Sequence, residues 1–107
     1  MIEPDRWAVI LCFFVHMPQP VRQRVLHAAA RGLRHGGMFV LEAFRPGQIA
    51  QGTGGPQDPD RLATLAQIEA ELPGLESVIA RETERVLAEG RYHSGPSATV
   101  QLLARRP

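Results

Sequence analysis

From Trp7 to Val15 every side chain is apolar, and His16 followed by Pro18 ends the run. A strand with one wet face alternates, whereas an unbroken run is expected of a strand buried on both faces, as in a parallel sheet. A strand is therefore predicted over residues 7–14. Pro20 opens a helical spacing over 20–33, with Val21, Val25, Leu26, Ala29 and Leu33 on the packed side and Arg22, Gln23, Arg24 and Arg31 opposite. Proline suits the first turn, the basic residues Arg31, Arg34 and His35 suit the carboxyl end, and Gly36 is placed to supply a left-handed cap. A second apolar run predicts a strand over 38–44. Strand, helix, strand is the βαβ unit of a parallel sheet.

Beyond it, residues 45–59 are rich in glycine and proline and read as a loop, long enough to be a lid or binding loop. Asp58-Pro59 is a helix-opening pair, and a second helix is predicted over 60–72, stopped by Pro73-Gly74. Residues 78–88 read as a strand whose many charges suit an edge or an exposed face. A turn over 89–96 leads to a last strand over 97–104, in which Ala98, Val100, Leu102 and Ala104 alternate with more polar positions. The class expected is α/β, in one domain spanning residues 1–107.

Composition narrows the function. A net charge of +1, with all twelve basic residues being arginine scattered among eleven acidic ones, gives no basic stripe for nucleic acid. The apolar run is too short for a membrane helix. One cysteine, Cys12, cannot pair within the chain, so a reducing, cytoplasmic setting is expected.

In a parallel sheet ligands sit beyond the carboxyl ends of the strands, here around residues 14–16 and 42–44. His16 there is either a helix-entry residue bonded to backbone or a ligand contact. Phe13 and Phe14 could be core on either side of the sheet, and Cys12 an inert buried thiol. Glu42, interrupting an apolar strand near its end, is either solvated at the tip or turned to a ligand. Residues 52–56, Gly-Thr-Gly-Gly-Pro, do not open a helix and lack a Lys-Ser/Thr partner, so a covering loop is expected rather than a phosphate cradle. Residues 89–95, Glu-Gly-Arg-Tyr-His-Ser-Gly, are either a plain turn or a polar cluster able to bind an acceptor and take its proton. The four histidines lie on separate elements without a spaced pair, and no metal site is expected.

The ordered set of His16-Met17-Pro18 after a buried strand, Arg22-Gln23, Gly36-Gly37, Leu41-Glu42-Ala43-Phe44, Gln48, Thr53-Gly54-Gly55-Pro56 and the 89–95 cluster resembles the carboxyl-terminal half of a class I S-adenosylmethionine-dependent methyltransferase. More narrowly, it is similar to the small bacterial methyltransferases related to the tellurite-resistance group. The likeness runs from about Trp7 to Arg105.

The resemblance implies half of a Rossmann-like methyltransferase sheet, with strands in the order 4-5-7-6, the last strand antiparallel, and two main helices. It places Cys12, Phe13, Phe14 and His16 near the S-adenosyl-L-methionine cofactor. Glu42, Phe44, Gln48, Gly55 and Glu89 would border a small-molecule acceptor, with Tyr92 and His93 as candidate catalytic groups. The family's glycine-rich turn after strand 1 and the acidic end of strand 2 have no counterpart here, so the chain alone is expected to be incompetent. Losing strand 1 would leave the 7–14 strand an open edge, and a homodimer across that edge or a separate amino-terminal partner is expected. The alternative function is a non-catalytic dimeric remnant serving as an interaction module.

Overall fold

In a computed structural model of the chain, residues 2–51, 55–56, 58–88 and 94–107 are described. Strand β1 (Trp7–Phe13) is followed by helix α1 (Gln19–Gly32) and strand β2 (Leu33–Phe44). β1 and β2 pair in parallel, Val9 beside Met38 through Phe13 beside Glu42, with α1 as the crossover. The order continues with a short helix α2 (Gln48–Gln51), a single 3-10 turn (Pro59–Arg61), helix α3 (Leu65–Ala70), and strands β3 (Glu76–Ala88) and β4 (Ser94–Arg105).

In space the sheet runs β1-β2-β4-β3, so the last strand enters between β2 and β3, antiparallel to both. Numbered as in the expected sheet, this is the order 4-5-7-6. None of the helices is long and apolar enough to cross a membrane among the described residues.

Both α1 and α3 pack on one face of the sheet. Leu26, Ala29 and Ala30 of α1 and Ile68 of α3 meet Phe39 and Leu41 of β2 and Val100 and Leu102 of β4 in a single buried cluster. Ile10 and Cys12 of β1 pack against it. The opposite face is bare. Trp7, Val9, Leu11 and Phe13 are 45, 54, 61 and 51 % exposed. Adjacent registers align Leu11, Val40, Leu103 and Ile79 in an apolar row across all four strands. The expectation that residues 7–14 are buried on both sides is thus corrected. The strand is an edge, with one face covered and its outer side unpaired among the described residues.

Three other expectations move. α1 buries Arg22 together with Leu26, Ala29 and Ala30, while Val21 and Val25 are each 37 % exposed. The packed stripe is rotated by about one residue, roughly 100° of helix, from the one predicted. α1 also stops at Gly32 rather than at Gly36. Gly36 does adopt φ +82°, but within the first residues of β2, where the register against β1 shifts between Trp7 and Val9. Gly37 is needed for close approach, since a Cβ there would lie 3.0 Å from the Trp7 carbonyl oxygen and 2.8 Å from that of Arg34.

The helix expected over 60–72 is broken. Asp58 caps only the 3-10 turn, accepting from the Asp60 N–H, and a capping box of Thr64 and Gln67 starts α3 afresh. The buried Leu62 and Ala63 lie between the two. The β3–β4 hairpin is longer than expected, with pairing that extends to Ala88 and Ser94.

Candidate functional site

Where β1 ends, the backbone turns sharply. Phe14 donates its N–H to the Glu42 carbonyl at 2.7 Å and takes φ 53°, a left-handed conformation that costs a non-glycine residue about 1–3 kcal/mol. Packing offsets it. The Phe14 ring lies 5.0 Å from that of Phe44, tilted by 55°.

Two residues later the His16 imidazole stacks on the same Phe44 ring, 5.5 Å between centroids and 15° between planes. His16 Nε2 accepts the Phe44 backbone N–H at 3.1 Å. An accepting ring nitrogen carries no proton, so the neutral imidazole holds its proton on Nδ1. One side chain therefore joins the end of the parallel pair across both strands.

Gly55 completes the cluster. A Cβ there would stand 2.8 Å from Phe44 Cδ2, and φ is +84°, so only glycine lets the loop lie flat on this ring. Leu62 and Ile49 pack around it. Phe14, His16, Phe44 and Gly55, each singled out from sequence, thus meet at one place, at the carboxyl ends of the parallel strands.

The other expected residues separate. Cys12 sits on the helix side, and burial pushes its thiol pKa up, which keeps it protonated and a poor nucleophile. Phe13 lies on the bare face beside Glu42. Burial raises the Glu42 pKa, but hydrogen bonds from Arg85, Gln101 and Thr99 and the charge of Arg85 outweigh it and hold the carboxyl below its usual range. Arg85 donates Nε and Nη2 at 2.7 Å each, Gln101 donates at 2.9 Å and Thr99 at 3.0 Å. Four donors fill a carboxylate's acceptor positions, and here they tie β2 to β3 and β4. Gln48 is fully buried, its Oε1 accepting the Ala98 N–H at 2.8 Å, and so fastens α2 to β4. Glu89, Tyr92 and His93 lie outside the described residues.

Sequence reading missed Arg22. It is 7 % exposed and forms a two-point ion pair with Glu71, Nε to Oε1 at 2.7 Å and Nη2 to Oε2 at 2.9 Å. The signal was present in its spacing, since Arg22 stands four residues before Leu26 and seven before Ala29 on the packed stripe.

No protein-family model and no curated protein matches the chain by sequence. Solved structures do match by shape. One, from work on the conversion of a disulfide bond into a thioacetal group during echinomycin biosynthesis, covers 96 % of this chain and 50 % of its own at a TM-score of 0.68 and 10 % identity. A second, an S-adenosylmethionine-dependent methyltransferase from Anabaena variabilis, covers 92 % of this chain and 48 % of its own, with TM-score 0.59 and 16 % identity. A third is from Listeria monocytogenes, and its assignment as a methyltransferase of the same kind is provisional. It covers all of this chain and 64 % of its own, with TM-score 0.61 and 15 % identity. The fold is that of class I methyltransferases.

This chain spans about half the length of the first two methyltransferase-fold structures and somewhat under two thirds of the third. The order β1-β2-β4-β3 is the one expected as 4-5-7-6, and the aromatic cluster lies at the ends of β1 and β2. Among the described residues no group of three histidine, cysteine or acidic side chains could hold a metal ion.

Proposed function

We propose that the chain is the carboxyl-terminal half of an S-adenosylmethionine-dependent methyltransferase of the small bacterial tellurite-resistance-related group, competent only when the rest of the fold is supplied. The observation that carries this reading is the open outer side of β1. Its backbone donors and acceptors face outward along an uncharged strand, with a bare apolar face beside them, in a chain half as long as its structural neighbours. A strand added there in register would continue the sheet.

The residues present fit one wall of a cofactor pocket. A sulfonium carries a positive charge that an aromatic face attracts, and Phe14 and Phe44 offer such faces at the strand ends, with His16 held in one tautomer beside them. The glycine-rich turn and acidic residue that would complete the pocket are not in this sequence. When bound, S-adenosylmethionine supplies an electrophilic methyl group, and the protein's part is alignment and exclusion of water. In this reading Phe14 and His16 line the cofactor side, flanked by Cys12 and Phe13. Phe44 and Gly55 border a small-molecule acceptor, with Glu42 and Gln48 holding the surrounding elements. Glu89, Tyr92 and His93 keep the acceptor-side roles that the resemblance implies, with Tyr92 or His93 to take the acceptor's proton. A reduced thiol at Cys12 suits a cytoplasmic protein.

The second reading rests on the same edge. β1 of one copy can pair antiparallel with β1 of another across a two-fold axis, giving a dimeric interaction module without catalysis. Titration with S-adenosylmethionine, followed by NMR, separates the two. The chain alone should show no shifts at Phe13–His16 at millimolar cofactor, and mixing it with an amino-terminal methyltransferase half from a structural neighbour should restore them. A mixture that stays silent while the chain sediments as a dimer would leave the module reading in place.

A further inference from the structure

The cavity between α1, the loop before α3 and the ends of β1 and β2 contains a donor that the aromatic cluster does not use. Arg22 spends Nε and Nη2 on Glu71, but its buried Nη1 has no hydrogen-bond partner among the described residues. That side chain lines the cavity with Val15, His16, Met17 and Arg61. The space is narrow, about 20 Å³ for the centre of a water-sized molecule, which admits one oxygen-sized group. Around it the remaining lining is apolar, including Leu41 and Ile68.

The charge at this place is positive. Arg22 and Glu71 cancel as a pair. The exposed Arg61 guanidinium reaches over and donates to the His16 carbonyl at 3.4 Å. α1 begins here with no side-chain cap and no acidic residue in its first turn, so the positive end of its dipole is not compensated. The buried, unpartnered Nη1 gives this positive region a directional donor that a helix end by itself would lack. A narrow, largely apolar space of this size disfavours large hydrated dianions such as sulfate and phosphate, which cannot enter without leaving several oxygens unpaired.

We propose that this cavity binds a small carboxylate, one oxygen entering to accept the Arg22 Nη1 proton and the other remaining under Arg61. The cavity shares Cys12, His16 and Phe44 with the proposed cofactor and acceptor walls, but carboxylate binding needs neither a methyl donor nor an amino-terminal half, so its test is separate from the methyltransferase reading.

The experiment is titration of the isotope-labelled chain with formate at constant ionic strength, following the Arg22 Nε–H and the backbone amides of residues 15–22 and 61–63 by NMR. Saturable shifts at these groups are expected. Formamide, of the same shape but uncharged, should bind about tenfold more weakly, as a charge-assisted bond outweighs a neutral one. Arg61→Gln, an exposed substitution that leaves the core intact, should weaken formate binding several-fold. The paired replacement R22M/E71L, which keeps the volume apolar, should abolish it with the circular dichroism spectrum retained. Absence of saturation, equal binding of formamide, or undiminished binding in R22M/E71L would each overturn the proposal, leaving Nη1 to at most a single buried water.

Discussion

Phe44 is the residue on which the working end of the sheet is assembled, because two separate segments, the turn at Phe14–His16 and the loop at Gly55, touch its ring or its backbone N–H. Gly55→Ala should therefore act through Phe44. The new methyl would press into the ring at a φ that L-residues avoid, and a loss of about 1–3 kcal/mol is expected, measurable as a lower urea midpoint. Glu42 makes a second prediction at this scale. Its pKa is lower in the folded chain than its usual 4.5, so between those two values the unfolded chain binds more protons. The carboxylate's contribution is then complete above pH 4.5 and lost as pH falls through the folded value. Urea midpoints measured across this acid range should fall less steeply for Glu42→Gln than for the unsubstituted chain. Some of this was legible in the residues. A glutamate in an apolar strand signals a polar partner, but its donors lie 43 to 59 positions away, and only pairing of β2, β3 and β4 brings them together.

Helix α1 illustrates what periodicity can and cannot tell at the scale of an element. Its existence and near limits followed from the sequence, since Pro20 starts it and the apolar spacing continues to Leu33. Its face did not. Val21 and Val25 are as apolar as Leu26, and assigning Arg22 to the wet side seemed safe, because an isolated buried arginine is costly. Glu71, 49 residues on, removes that cost and turns the helix. Arg22→Ala should cost about 3–5 kcal/mol by leaving the Glu71 charge buried and unpaired, whereas R22M/E71L should recover most of the loss. Thermal unfolding of both variants gives the comparison. Helix α3 was mislocated for a related reason. Asp58-Pro59 and Thr64-Gln67 are both start signals, and the second is the one that leads into a sustained helix.

The whole molecule has two very different surfaces. One face of the sheet is closed by helices, and the other carries an apolar row from Leu11 to Ile79 that water now covers. The order of elements along the chain was readable from apolar runs, glycines and prolines, whereas the order of strands across the sheet came from the resemblance to class I methyltransferases. The bare face was not readable, because nine consecutive apolar residues look alike whether both of their sides are packed or only one. Contiguous apolar surface of this kind, larger than scattered single residues explain, drives association. Leu11→Glu should place a charge in the middle of that row, lowering self-association in sedimentation equilibrium and weakening capture of any complementing half, while leaving the helix-side core untouched.

At the far end of the sheet from the aromatic cluster, Arg106 binds the Asp5 carboxylate and the carbonyls of Arg31 and Leu33, and its own backbone exchanges hydrogen bonds with Gly36 and Gly37. The beginning and end of this polypeptide are thereby held side by side. A covalent ring, made by joining residue 107 to residue 2 through a few glycines, would remove freedom only from the denatured chain. Such a cyclised protein should melt at a higher temperature than its linear parent and keep the same amide spectrum near Phe44.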